Sequence, residues 1–159
     1  MDFKNLRKEL MIVVNTMNKL EGSREISLAK TKAQEAMMWC GNYLKYSGEG
    51  QNPYAENDGK RKTVKDIKPM FDATESTLHE NILSEGQIFV VDQLRQILDK
   101  KINDVGNYLT DLKKLDEIND FQEIMVGLCF ANLPTKLSET RMWLGMELGR
   151  LRDLSDLGN

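Results

Sequence analysis

Phe3, Leu6, Leu10, Val13, Met17 and Leu20 recur at steps of three and four, with Lys4, Lys8, Glu9 and Lys19 off that line. This spacing puts the apolar side chains on one stripe of an amphipathic helix. Gly22-Ser23 interrupts it, and Ser23 is suited to cap a second helix running through Leu28, Ala29, Ala33, Ala36, Met37, Cys40 and Leu44. Together the two predict a helical hairpin over residues 1–50.

The text then changes. From Ser47 to about Pro69 it holds Gly48, Gly50, Asn52-Pro53, Asn57-Asp58-Gly59 and the basic cluster Lys60-Arg61-Lys62, which are turn formers and solvated charges. Residues 51–80 are therefore expected to be a loop or linker, and one this long is either a functional lid or disordered. Helical periodicity returns with Val91, Leu94, Leu98, Ile102, Val105, Leu109 and Leu112, predicting a long helix from about Glu85 to Leu115. Val91, Leu98, Val105 and Leu112 are spaced by sevens, but Lys101 and Asn107 spoil a second apolar column, so packing onto the other helices is favoured over a coiled coil. Ile118, Phe121, Ile124, Met125 and Leu128 predict a shorter helix. Asn132-Leu133-Pro134 marks an expected break, and Leu137, Leu144, Leu148 and Leu151 drive the last helix. Residues 81–159 thus read as a long helix and a second helical hairpin, and the fold class as all-α, hairpins packed into a small bundle.

Composition agrees with that class. The chain has 159 residues, 40% of them hydrophobic and 30% charged, with three prolines. Abundant Leu, Met, Lys and Glu favour helix because unbranched side chains lose little rotamer freedom there. A net charge of -3 argues against a protein that coats DNA or RNA, which needs a basic stripe for the phosphate backbone. Cys40 and Cys129 have no CxxC or CxxH partner, so neither a metal site nor a disulfide framework is indicated and two reduced thiols fit a reducing cytosol. The start MDFKNLRKEL lacks the basic beginning and apolar core of a secretory signal, and no apolar run is long enough to span a bilayer. The expected location is cytoplasmic, with no membrane partner.

One segment occurs twice. Thr31-Lys32-Ala33-Gln34-Glu35-Ala36-Met37-Met38-Trp39-Cys40-Gly41 aligns with Thr135-Lys136-Leu137-Ser138-Glu139-Thr140-Arg141-Met142-Trp143-Leu144-Gly145, and both read TKxxExxMWxG. The shift is constant, since 135 minus 31 and 145 minus 41 both give 104, and internal duplication is the economical explanation. On a helix the Thr, Glu and Trp of each copy fall near one face, with the Lys a little under a third of a turn away. A plain structural role weighs evenly against a functional one at each position: Met and Trp belong to cores, Gly permits close helix approach, and Thr with Glu can cap or pair. Lys32 and Lys136 are the stronger functional candidates, because a lysine beside a hydroxyl offers a phosphate both a charge and a neutral hydrogen bond.

TKAQEAMMWCGNYL and TKLSETRMWLGMEL resemble the signature helix of the small phage hairpin proteins that counter CBASS and Thoeris immunity, and Asn52-Pro53-Tyr54 resembles the element that follows it. The likeness covers residues of about 1–55 and 115–152. It implies a sponge: a helical hairpin protein that forms a homo-oligomer and sequesters, without cleaving it, the cyclic nucleotide or cyclic ADP-ribose-type messenger of the host defence, in the host bacterial cytoplasm. A familiar single-hairpin member carries the motif once, whereas this chain has two diverged copies, and Met37 stands where the second copy has Arg141. A cyclic messenger presents phosphates and stackable bases, so its receptor needs cationic donors, hydroxyls and aromatic faces in a concave site. On that basis the expected phosphate ligands are Thr31, Lys32, Thr135, Lys136 and Arg141, with Arg24 and Tyr54 as weaker candidates; Tyr54 would stack a base, against the plainer role of an exposed turn tyrosine.

An enzyme is not expected. The sequence holds no nucleophile elbow, Walker loop, Gly-rich dinucleotide turn or His-based metal pair, its only histidine is His79, and no cofactor is implied. The competing expectation is a helical scaffold in which the repeated MW helix is an interaction surface.

Overall fold

The computed structural model describes residues 1–46, 73–112 and 120–158. They form α1 (Phe3–Lys19), α2 (Arg24–Tyr46), α3 (Ala73–Glu85), α4 (Gln87–Leu112) and α5 (Asp120–Leu157). The all-α class holds, and the helices pack as a small bundle.

Local chemistry sets the helix ends. Asp2 caps α1 by accepting from the Asn5 backbone N–H at 3.1 Å. Ser23 caps α2 as its position predicts, its Oγ accepting from the Ile26 N–H at 3.1 Å while its hydroxyl bonds the Glu147 carboxylate of α5. Gly86, at φ 87°, makes the left-handed turn between α3 and α4. In α3, Leu78 and Glu75 are buried, so this helix begins inside the segment whose turn formers mark it as a connector. The stretch 47–72, with the proposed lid and the Asn52-Pro53-Tyr54 element, lies outside the described residues.

Four helices make the bundle, each antiparallel to its neighbours. α2 packs on α5, α1 on α2 and α4 on α5; Glu9 of α1 meets Lys101 of α4 at 2.6 Å, while Glu21 near the other end of α1 bonds Gln87. α3 lies against α4 and α1, with Asn81 bonded to Gln93. Lys101, the residue that interrupts the second apolar column of α4, is thus buried against a carboxylate supplied by α1. At one end Phe3, Tyr43, Tyr108 and Phe130 form an aromatic cluster with centroids as close as 4.1 Å, and the two tyrosine hydroxyls share a 2.6 Å hydrogen bond.

Asn132-Leu133-Pro134 does not break the chain: α5 is one helix of 38 residues with Pro134 inside it. A proline there leaves the carbonyl four residues back without its N–H and crowds it with the ring. Nearby, Asn132 donates its side-chain amide to the Leu128 carbonyl at 2.8 Å and Thr135 its hydroxyl to the Ala131 carbonyl at 3.0 Å. Cys129, Phe130, Leu133 and Leu137 are all buried on both sides of the proline, and this shared burial holds the two stretches in one helix.

The duplication extends into three dimensions. Positions 31–40 and 135–144 have the same alternation of buried, half-buried and exposed residues, and Ala29, Ala33, Ala36 and Cys40 on α2 correspond to Leu133, Leu137, Thr140 and Leu144 on α5, all fully buried. The preceding helices match as well. Leu6-Arg7 and Leu10 of α1 correspond to Leu94-Arg95 and Leu98 of α4, an LRxxL pattern displaced by 88 residues since 95 minus 7 is 88, with four buried leucines and two half-buried arginines. The bundle is therefore two copies of one hairpin, related by an approximate two-fold axis.

Two outcomes follow from this packing. Pro134→Ala restores a helical N–H without moving the buried residues, so it is expected to raise stability by about 1–3 kcal/mol in urea denaturation; a loss would mean that the proline fixes the geometry of α5. Ala33→Leu gives α2 the bulk that α5 already has at that place and is expected to destabilise by roughly 1–3 kcal/mol through overpacking.

Candidate functional site

The middle of the α2–α5 contact gathers the lysine and the glutamate of each motif copy. Lys32 meets Glu139 of the other copy at 3.0 Å and its own Glu35 at 3.8 Å; Lys136 meets Glu35 at 2.8 Å and its own Glu139 at 3.7 Å. The arrangement is reciprocal, as an approximate two-fold requires: each copy's lysine pairs with the other copy's glutamate. These side chains are a fifth to a third exposed, so the cluster sits at the surface edge of the helix contact. It is the Lys and Glu of each copy, rather than the Thr, that face the other copy.

Two lysines and two glutamates sum to no net charge. The hydrogen bond from Lys136, opposed in part by desolvation, holds the Glu35 carboxyl below its ordinary value of 4.5, and the same bond raises Lys136 above 10.5. Both groups are ionised at neutral pH, and an incoming phosphate would compete with two carboxylates for the lysines.

The threonines lie at the margin and are exposed. Thr31 donates its hydroxyl to the Ser27 carbonyl at 3.1 Å and Thr135 to that of Ala131 at 3.0 Å, again at equivalent positions. A hydroxyl whose proton is so used offers a ligand only acceptor lone pairs, so a phosphate contact from either needs the rotamer to turn. Beside Thr135 a shallow depression of about 370 Å³ is lined by Pro134, Thr135, Ser138, Glu139 and Met142. Met38 and Met142, the motif methionines, are 52% and 49% exposed, so neither serves the core as methionine at helical spacing usually does. Trp39 and Trp143 are half-buried against the core.

The remaining candidates are elsewhere. Arg24, exposed, stacks over the Trp143 ring at 5.8 Å from its centroid, and stands roughly 10 Å along the helix from Thr31 at 1.5 Å per residue. Arg141 faces α4 and pairs with Asp99. Tyr54 lies outside the described residues. Lys32 and Lys136 are thus brought together, Thr31 and Thr135 flank them on their own helices, and Arg24 and Arg141 are not part of the cluster.

Sequence reasoning passed over Arg7 and Arg95. Their signal was the LRxxL pattern, too short to notice until the hairpins are superposed. Each lies against the motif helix of its own hairpin: Arg7 is close enough to Cys40 for its charge to act on the thiol, and Arg95 rests on Gly145. Burial pushes the two thiols up, Cys40 to about 12 and Cys129 to about 11, so both stay protonated and inert. Among the described residues no group of His, Cys, Asp and Glu is arranged to hold a metal ion, and no helix is long and apolar enough to cross a membrane.

Comparison of the chain with known protein families, with curated proteins and with solved structures finds no match.

The clasp gives a pH signature. A carboxyl whose folded pKa is depressed contributes stability that is present above its unfolded value and lost as pH falls through the folded one. Glu35 should therefore make the protein less stable as pH drops from about 5 to below 4.5, and Glu35→Gln should flatten that part of the profile of denaturation midpoint against pH. An unchanged slope would show that the ion pairs contribute nothing in solution.

Proposed function

We propose that the protein is a non-catalytic binding protein that sequesters a cyclic nucleotide or cyclic ADP-ribose-type immune messenger, as a phage countermeasure to CBASS or Thoeris defence in the bacterial cytoplasm. The observation that supports this reading best is the meeting of the two motif copies: Lys32 and Lys136 come from opposite halves of the chain to one cluster, each one residue from an exposed motif threonine. A messenger with two phosphates has approximate two-fold symmetry of its own, so a receptor with paired lysines and hydroxyls across a two-fold axis matches it in kind. One hairpin is too thin to enclose such a ligand. The intramolecular pairing supplies one wall, and association of chains into a homo-oligomer supplies the rest.

Binding at this place requires that phosphates replace Glu35 and Glu139 as partners of the lysines. Exchange of one ion pair for another is cheap in a partly exposed setting, where such pairs contribute little to stability. A stoichiometric trap must outcompete the host effector, which calls for nanomolar affinity, about -12 kcal/mol. Enclosure of the bases between chains is the source of most of that energy.

A second reading is a helical scaffold, and the observation in its favour is the same cluster. Reciprocal Lys–Glu pairs satisfy the shared motif positions with no ligand at all, and the exposed motif methionines Met38 and Met142 suit a protein contact.

Calorimetric titration with cyclic dinucleotides, cyclic trinucleotides and cyclic ADP-ribose isomers separates the two. Sequestration predicts tight binding, recovery of the ligand intact after heat release, and loss of uptake of at least tenfold in Lys32→Ala and Lys136→Ala with the fold and assembly retained. No binding across the panel, with assembly lost in the same variants, would replace the sponge with the scaffold.

A further inference from the structure

The two hairpins place an arginine at the same spot, but only the second hairpin sets another arginine beside it. Arg95 of α4 lies on the bare backbone of Gly145 in α5: its Cζ, Nε and Nη2 atoms stand 3.5 Å from where a Cβ at that position would be. The motif glycine thus gives the planar guanidinium a floor. The Arg95 Nε is shut off from solvent and has no hydrogen-bond partner among the described residues. No carboxylate there lies within ion-pair distance of Arg95, whereas Arg141 has one and Arg150 has two. An arginine held flat, half-buried and without an anion is the donor half of a recognition site, because five N–H groups in a fixed fork match the oxygens of a phosphate or carboxylate.

Arg141 is its neighbour. It precedes Gly145 by one turn of α5, and its partner Asp99 follows Arg95 by one turn of α4, so the two guanidiniums are about one helical turn apart, roughly 6 Å along the axes. Of the two cations only Arg141 is paired with a carboxylate among the described residues. The other acid on this side, Asp92, lies one turn before Arg95 and accepts from the Gln96 side-chain amide at 3.1 Å.

We infer that Arg95 and Arg141 form an oxyanion site for a phosphate-bearing ligand on the α4–α5 face, with Gly145 as its floor and Asp99 as an internal anion that occupies Arg141 until a ligand displaces it. The site exists once per chain: Arg7 repeats Arg95 in the first hairpin, but Met37 stands at the position of Arg141. Inorganic pyrophosphate carries the needed chemistry, so the site does not depend on the messenger reading.

The test is calorimetric titration of the full chain with pyrophosphate at low ionic strength, alongside cyclic di-AMP. Pyrophosphate is expected to bind, with affinity falling at least tenfold in Arg95→Gln and in Arg141→Gln. Asp99→Asn is expected to strengthen it severalfold, a gain that a misfolded variant would not produce. Lys4→Ala, which removes an exposed charge on α1, should leave pyrophosphate affinity unchanged. Absence of pyrophosphate binding, or equal affinity in the wild type, Arg95→Gln and Asp99→Asn, overturns the site. Cyclic di-AMP bound equally by the wild type and both arginine variants, with no pyrophosphate binding, removes the site while leaving sequestration standing. Pyrophosphate binding that requires Arg95, in a protein that ignores every cyclic messenger, keeps the site and removes the sponge.

Discussion

The contact between α2 and α5 is what the rest of the molecule is built around. Each hairpin alone has two sides to its second helix, one facing the first helix and one that would face water; bringing α2 and α5 together removes both exposed apolar sides at once. The fit depends on unequal partners. α2 buries Ala29, Ala33, Ala36 and Cys40, while α5 buries Leu133, Leu137 and Leu144 at the equivalent positions. Small side chains let two helix axes approach and large ones fill the space that remains. Two identical alanine faces would leave voids and two identical leucine faces would collide, so divergence of the copies has produced complementarity that a symmetric pair lacks.

Electrostatics follows the same axis. Residues shared by both copies are those for which symmetry is compatible with pairing: a lysine and a glutamate one turn apart satisfy an antiparallel copy of themselves whichever half they belong to. This explains why Lys32, Glu35, Lys136 and Glu139 survive in both halves, on packing grounds alone, and it sets the condition under which they serve a ligand. Phosphate groups must offer the lysines more than the carboxylates do. By contrast Arg95 has no carboxylate partner among the described residues, and its guanidinium rests on the floor of Gly145.

Much of this architecture was legible in the residues. The stripe from Phe3 to Leu20, the Ser23 cap and the run from Val91 to Leu112 report local periodicity and local hydrogen bonding, and those forces act the same way in the folded protein. Pro134 misled because its penalty is local while its compensation is not: burial of Phe130, Leu133 and Leu137 against other helices outweighs one lost hydrogen bond, and no window of sequence contains that information. The start of α3 was hidden likewise, since Leu78 and Ile82 give only a short apolar spacing until α4 and α1 are there to cover the helix. Of the candidate site, the repeat singled out the two lysines but not their partners. Lys32 looked like a free donor because its partner lies 107 residues away at Glu139. The Leu-Arg pair in α1 and α4 was too short a match to stand out from chance, and its meaning depends on Gly145, a residue on another helix.

Duplication also changes what each half is free to become. In a symmetric dimer of single hairpins, any substitution appears on both sides of the axis and must suit both. Within one chain the halves vary separately: the first has Met37 where the second has Arg141, and small residues at the core positions where the second has leucines. A hydrophobic residue at position 37 packs against the core without needing a counterion, whereas Arg141 brings a charge that α4 answers with Asp99. The second hairpin thereby places a charged pair on the α4–α5 face where the first has a hydrophobic contact, so the approximate symmetry that organises the fold does not extend to its chemistry.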